Sequence, residues 1–233
     1  MFGLDPQSTV ARATAAAQPS HLPTMRESVL RGMIGFTLVS LGGFAPWMLA
    51  GRWFYRNVGE LGLYAVCAVV FIGLSGVLLH RLIIGPGSLV RFYKLFSLAF
   101  VAHAIAWTIG WMAFRGVTGS VVGALAGMAV MSGILAFGFG AYRASLKIFL
   151  VLFATNAAGY FLGEWTHNLV LSLKEGNALG LVLSQSTRSL GSKAMWGLCY
   201  GLGFGAGIGF AFYICQAEAR RLLAAADEHH TER

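Results

Sequence analysis

Residues 196–214 read WGLCYGLGFGAGIGFAFYI, an apolar run in which glycine returns at every fourth position. The repeating residues are Gly197, Gly201, Gly205 and Gly209, with Gly203 and Gly207 between them. On a helix, this spacing leaves bare backbone along one stripe, where another helix can approach closely enough for van der Waals contact to hold the pair together in lipid. The run therefore predicts a membrane helix that packs against protein, a glycine zipper.

The helical wheel divides these glycines into two faces. At about 100° per residue the first four drift across one sector, and Gly203 and Gly207 fall on another. Residues 117–139 have their own stripe, made of Gly119, Gly123 and Gly127. We therefore predict that the last span is contacted on two sides and that residues 117–139 form its partner. We also expect leucine at Gly205 to disrupt assembly more than leucine at Gly209, which lies near the end of the stripe.

The composition places the chain among membrane proteins. Of its 233 residues 57% are hydrophobic and 11% are charged, whereas charged residues make up about 25% of soluble domains. A helix needs about 20 apolar residues to cross a bilayer. Such runs lie at about residues 28–50, 61–84, 92–114, 117–139, 148–172 and 194–214. The sequence thus predicts an all-α bundle of six transmembrane helices over residues 25–216, with close packing at glycines.

The rest of the chain is predicted to be peripheral. Residues 1–24 are rich in Ala, Ser, Thr and Gln and are expected to form a flexible arm, and residues 217–233 a charged tail. The loops are short, which favours antiparallel neighbours in one bundle. The longest connection, residues 174–193, is expected to hold an interfacial segment over residues 178–183.

The net charge of +8 is explained by orientation in the lipid bilayer rather than by nucleic-acid binding, because basic residues flanking spans set topology. With both termini cytoplasmic, the inner segments carry Arg12, Arg26, Arg31, Arg81, Arg91, Lys94, Arg143, Lys147, Arg220, Arg221 and Arg233. The outer segments carry fewer: Arg52, Arg56, Arg115, Lys174, Arg188 and Lys193. We therefore predict a bacterial inner-membrane protein with both termini inside.

All six tryptophans fall on the predicted outer side. They are Trp47, Trp53, Trp107, Trp111, Trp165 and Trp196. The favoured interpretation is an aromatic belt at the membrane interface, because amphipathic rings prefer that depth. The alternative is an aromatic-lined cavity that opens outward.

Four polar residues within the spans are candidates for a ligand or permeation site, because such residues are costly in lipid. His103 and Asn156 lie about 13 Å above Lys94 and Lys147, near the bilayer midplane. The competing interpretation for both is an interhelical hydrogen bond, worth about 0.6 kcal/mol on average.

Glu164 and His167 share one helix face near the outer rim, because they are three residues apart. They fit either an acidic, aromatic-rimmed binding spot or a structural ion pair between Glu164 and Arg115 or Arg52. Gly42, Gly43 and Pro46 are expected to let the first span bend beside this route.

Catalytic and metal sites are not indicated by the spacing. Glu164-x-x-His167 is half of a di-iron carboxylate site, but no other glutamate lies within a span. The histidines at 80, 103 and 167 differ too much in depth for bis-histidine haem ligation. The three cysteines show no disulfide framework or metal-ligand spacing. The sequence identifies no cofactor, and an enzyme is the third-ranked function.

Two functions remain open at this stage. The first is a channel or transporter for a small solute or ion, with His103 and Asn156 at the midplane and Glu164 and His167 at an outer vestibule. The second is a non-catalytic subunit or assembly factor, whose glycine stripes bind membrane-protein partners or a second copy of the chain.

Overall fold

A computed structural model describes residues 2–16, 22–173 and 183–231, and within these ranges the chain forms nine α-helices and no strand. The helices are α1 (Pro6–Ala15), α2 (Met25–Gly43), α3 (Ala45–Asn57), α4 (Gly59–Leu79), α5 (Ser88–Phe114), α6 (Gly116–Phe139), α7 (Ser145–Ser172), α8 (Gln185–Cys215) and α9 (Ala217–Thr231). Single turns of 3₁₀ helix, His80–Leu82 and Tyr142–Ala144, follow α4 and precede α7. The all-helical prediction is confirmed.

Six stretches of the described chain are long and apolar enough to cross a membrane, as predicted. Each helix begins before its apolar run, and in two of them a polar side chain caps the earlier start. Thr24 and Glu27 form a capping box at the start of α2, with distances of 3.2 and 2.8 Å. Ser184 Oγ accepts a hydrogen bond from Thr187 N at 3.2 Å, so that α8 starts well before residue 194.

The first of these stretches contains a break. Helix α2 ends at Gly43, and α3 begins at Ala45 with Pro46 in its first turn. Proline has no N–H to donate to the preceding turn and its ring crowds the carbonyl there, so a continuous helix is disfavoured. The helix is thus interrupted where the sequence predicts a bend, and a second irregularity follows at Ala50, where φ is −129°.

The long helices form a closed ring in chain order. Helix α2 packs against α4, and each following helix packs against the next through α5, α6 and α7 to α8, which returns to α2. Single residues separate two of these helix pairs: Val58 joins α3 to α4, and Arg115 joins α5 to α6. These short connections agree with the predicted bundle of neighbouring antiparallel helices.

Helix α8 is the most buried member of the ring, because 56% of its apolar window is buried against 28–44% for the others. Its main neighbours are α2 and α7. A methyl group added at Gly201 would lie 2.6 Å from Thr37 Cα of α2. One added at Gly203 would lie 2.7 Å from Gly159 Cα of α7. The two glycine faces therefore contact two different helices.

The predicted partner of α8 is wrong. The stripe on α6 faces α5: methyl groups added at Gly119, Gly123 and Gly127 would lie 3.1, 2.7 and 3.0 Å from the carbonyl oxygens of Trp111, Trp107 and His103. The one-residue connection between α5 and α6 makes them adjacent, which a glycine pattern on α6 alone does not reveal. The expected difference between Gly205 and Gly209 is also unsupported, because α2 extends far enough to contact both residues.

The chain ends differ from prediction as well. The segment expected to be a flexible arm contains α1, which packs against α9 in the predicted tail. Leu4 is 2% exposed, so burial of apolar side chains orders this segment. Asp5 caps α1 by accepting a hydrogen bond from Ser8 N at 2.9 Å, which lowers the pKa of its carboxyl group. The expected interfacial segment over residues 178–183 lies almost wholly outside the described residues.

The side chain of Gln216 forms hydrogen bonds between the end of α8 and the connection from α4 to α5. Its side chain is buried, and its Nε2 donates to Leu82 O and Phe212 O at 2.8 and 2.9 Å. Its Oε1 accepts from Ile84 N at 2.8 Å. One side chain thus pairs three backbone groups.

We expect Gln216→Leu to lower the free energy of unfolding by about 1–3 kcal/mol, because it leaves the buried Leu82 carbonyl and the partly buried Ile84 N–H unpaired. The measurement is denaturant unfolding of the purified protein in detergent micelles. Gln185→Leu, at an exposed position at the start of α8, is the matched control. Equal stability of the two variants would contradict this role of Gln216.

Candidate functional site

A cavity of about 360 Å³ lies between the long helices, in the half of the bundle that contains Val58, Arg115 and the tryptophans. We call it the aromatic cavity. Its lining comes from α3, α4, α5, α7 and α8 and from Phe44 at the α2–α3 break. The aromatic lining residues are Phe44, Trp47, Tyr55, Tyr64, Phe71, Phe100, Trp107, Trp111, Tyr160, Trp196 and Tyr200. The volume is within the range of small-molecule sites, which is about 300–1,000 Å³.

All four polar residues singled out in the sequence line this cavity: His103, Asn156, Glu164 and His167. His103 and Asn156 are buried, with 5% and 3% of their surface exposed, and we refer to their end as the floor. Glu164 is exposed, and its end is the mouth. Glu164 follows Asn156 by eight residues on α7, which corresponds to about 12 Å along the helix axis.

Helical spacing explains why these side chains meet. Asn156, Glu164 and His167 occupy one face of α7 together with Tyr160, since the steps along the chain are four, four and three residues. Tyr160 was missed in the sequence because tyrosine is common in membrane proteins, although its spacing from Asn156 and Glu164 was a usable signal. Trp107 and Trp111 continue the face of His103 on α5 in the same way.

The floor combines aromatic rings with an unpaired amide. The His103 ring centroid lies 6.0 Å from that of Phe100 and 5.6 Å from that of Phe204, and its edge packs against Gly127 of α6. Asn156 Oδ1 is buried and accepts no hydrogen bond from any residue that the structure describes. The amide oxygen therefore does not make the interhelical hydrogen bond considered for Asn156, and the residue is part of the cavity lining.

Trp196 is at the centre of the wall. Its ring centroid lies 4.9 Å from Phe44, 5.4 Å from Tyr160 and 5.2 Å from Tyr200. Trp107 and Trp111 stack at 5.8 Å on the other side of the cavity. Four of the six tryptophans, Trp47, Trp107, Trp111 and Trp196, thus line the cavity, as in the alternative interpretation. Trp53 and Trp165 do not line it and are 57% and 61% exposed.

The mouth has one unpaired carboxylate. Glu164 Oε1 accepts a hydrogen bond from Asn168 Nδ2 at 3.4 Å, and no basic group of the described residues lies within 4.0 Å of it. The ion pair proposed with Arg115 or Arg52 is absent because Arg115 instead contacts Glu60, at 3.4 Å. His167 stacks against Trp47 with ring centroids 6.0 Å apart.

Below the floor, the bundle is filled by a phenylalanine stack. Phe92 and Phe96 lie 4.9 Å apart and Phe96 and Phe100 lie 5.5 Å apart, all three stacked face to face. Phe71 extends the stack beside Phe100 and Phe212 extends it beside Phe92, each at 5.5 Å. All five rings are at most 5% exposed. The cavity is therefore closed toward the opposite half of the bundle.

The groups that line this site can bind a molecule non-covalently. The site offers aromatic faces, one carboxylate at the mouth, and an amide oxygen and an imidazole at the floor. Within the described residues, no group of three or more His, Cys, Asp or Glu side chains is arranged to hold a metal ion. The interpretation depends on this geometry, because no protein-family model, curated protein or solved structure matches the chain.

Proposed function

We propose that this protein is a multi-pass membrane protein that transports a small solute and that the aromatic cavity is its binding site. The observation that carries the proposal is the convergence of His103, Asn156, Glu164 and His167 on one cavity. Polar residues at the depth of a bilayer are costly, and they are found where a substrate or ion pathway uses them. In this proposal the termini are cytoplasmic, the membrane is a bacterial inner membrane, and the mouth opens to the outer side.

The shape of the cavity favours a carrier over an open channel. The mouth is accessible at Glu164, whereas the phenylalanine stack fills the bundle beneath the floor. A carrier alternates between states that are open to one side, with its site near the midplane. A solute held above Phe100 would match the outward-open state of such a cycle.

The competing role as a subunit or assembly factor has lost its main support. That hypothesis assigned the glycine stripes to partner helices. The same glycines contact α2, α5 and α7 of their own chain, and in our proposal they hold the bundle together as a glycine zipper. Purification in mild detergent tests this point, since stoichiometric partner chains or a stable homo-oligomer would favour the alternative.

We expect proteoliposomes with the parent protein to accumulate at least one solute of a labelled panel faster than empty liposomes. The panel contains a cation, a zwitterion, an anion and a neutral compound: tyramine, phenylalanine, 4-hydroxyphenylacetate and glycerol. Glu164→Gln and His103→Ala should each slow that uptake by about tenfold or more, because each removes a polar group that a solute contacts. Glu218→Gln, on the surface of α9, is the matched control.

Two results would contradict the transport proposal. One is uptake of every solute at the rate of empty liposomes. The other is uptake that Glu164→Gln and His103→Ala leave unchanged, which would mean that the solute crosses elsewhere.

A further inference from the structure

We infer that the ligand of the aromatic cavity is an elongated organic monocation: an amine with a flat apolar body and a hydrogen-bond donor at the end opposite its ammonium group. Arylethylamines with a ring hydroxyl have this chemistry. The inference rests on the proposed role of the cavity as a solute site. It is tested through binding, which does not require transport.

The wall selects for positive charge. The faces of aromatic rings carry negative electrostatic potential, and cations bind over them. The chain itself uses two wall tryptophans in this way. Lys193 Nζ lies 5.1 Å from the ring centroid of Trp47, and Arg115 Cζ lies 5.8 Å from that of Trp111. Neither basic residue lines the cavity, whereas Trp47, Trp107, Trp111 and Trp196 all contribute to its lining.

The charge at the mouth has the matching sign. Glu164 is the one carboxylate among the residues that line the cavity, and the lining includes no lysine or arginine. Glu164 also lacks a basic partner among the described residues. An ammonium group would supply the missing counter-ion, whereas a carboxylate or phosphate would meet an unpaired negative charge at the entrance.

The floor requires a donor. The buried oxygen of Asn156 accepts no hydrogen bond from the described chain, and a buried acceptor without a partner is costly. An O–H or N–H group of a ligand would satisfy it. Because Asn156 and Glu164 are about 12 Å apart along α7, one compact ammonium ion cannot contact both. A ligand with a donor at one end and an ammonium group at the other, joined by a flat ring, can contact both.

The experiment follows quenching of tryptophan fluorescence in the full-length protein in nanodiscs, with isothermal titration calorimetry as a second readout. The probes are tyramine, phenethylamine, which lacks the hydroxyl, and 4-hydroxyphenylacetate, which exchanges the ammonium for a carboxylate. We expect tyramine to bind most tightly. Glu164→Gln should weaken tyramine binding by about tenfold or more, because a charge-assisted contact is lost.

Asn156→Leu should remove the difference between tyramine and phenethylamine while leaving phenethylamine binding nearly unchanged. Ser172→Leu is the control on the same helix, since Ser172 is exposed and does not line the cavity. If the leucine variant does not fold, Asn156→Asp is the second variant. Its carboxylate can still accept a hydrogen bond, so it should retain the preference for tyramine.

The outcomes separate this inference from the transport proposal. Binding of tyramine without any uptake by proteoliposomes would overturn transport and support the ligand class. Tighter binding of the anion than of tyramine, or equal binding of all three probes, would overturn the inferred ligand class. The proposal that the cavity binds a solute would still stand. Failure of all three probes to bind, together with uptake of glycerol that depends on His103, would also overturn the ligand class alone.

Discussion

Leucine at Gly205 is expected to prevent the bundle from forming. A methyl group at this position would already lie 2.9 Å from Gly32 C and 2.9 Å from Met33 Cα, and Gly32 O would be nearer still. These are backbone atoms of α2, which cannot rotate away as a side chain can. Helix α8 has no free direction in which to shift, because Gly203 and Gly207 contact α7 on its other face.

We therefore expect Gly205→Leu to cost more than about 3 kcal/mol, the upper end of ordinary overpacking penalties. The measurement is the yield of monodisperse protein in mild detergent, followed by thermal unfolding. Gly209→Leu should behave similarly, since a methyl group there would lie 2.8 Å from Val29 Cα.

Gly197→Ala is the matched control, because its added methyl would meet Leu41 Cδ2 at an ordinary 3.5 Å. We expect this variant to keep the parent's yield and unfolding midpoint. A normal midpoint for Gly205→Leu would disprove close packing between α2 and α8.

Filling the aromatic cavity is expected to abolish ligand binding without destabilising the fold. Ala104 lies on α5 beside His103 and lines the cavity. Tryptophan at this position would occupy space that a ligand needs, and it would bury new apolar surface against Trp107 and Phe100. We expect Ala104→Trp to reduce tyramine affinity and solute uptake by about a hundredfold, equivalent to about 2.7 kcal/mol.

The control for this variant is Ile105→Trp. Ile105 is the next residue of α5, is 56% exposed and does not line the cavity. It should leave affinity, uptake and unfolding midpoint close to those of the parent. If Ala104→Trp binds and transports normally, the functional site is not this cavity. If it unfolds at a much lower temperature, the space is less open than described, and Ala68→Phe tests the same claim from α4.

The number of long helices followed directly from the sequence, because the length of an apolar run reports its ability to cross a bilayer. The two glycine faces of α8 also followed from helical geometry alone. Which helices pack against each other did not follow from the sequence. A stripe such as Gly119, Gly123 and Gly127 indicates that another helix packs closely against it. That this helix is α5 depends on the one-residue turn at Arg115 and on the closed ring of helices.

The candidate site was partly predictable for the same reason. The cost of a polar group in lipid identifies His103, Asn156, Glu164 and His167 one at a time, and their spacing gives each one a depth and a face. Tyr160 and the wall tryptophans carry no such cost, and their placement around one cavity depends on which helices adjoin. The sequence did not predict that residues 6–15 form an ordered helix, because the burial of α1 depends on α9 at the other end of the chain.

The ring arrangement also has a consequence for how the protein is made. Its closing contact joins α2 to α8, which are separated by about 140 residues of intervening chain. At about 5–20 residues per second, α2 would be synthesised about 7–30 s before α8. During that interval the backbone at Gly32 has no cover from α8. A nascent chain released before α8 would leave this backbone surface of α2 without its partner.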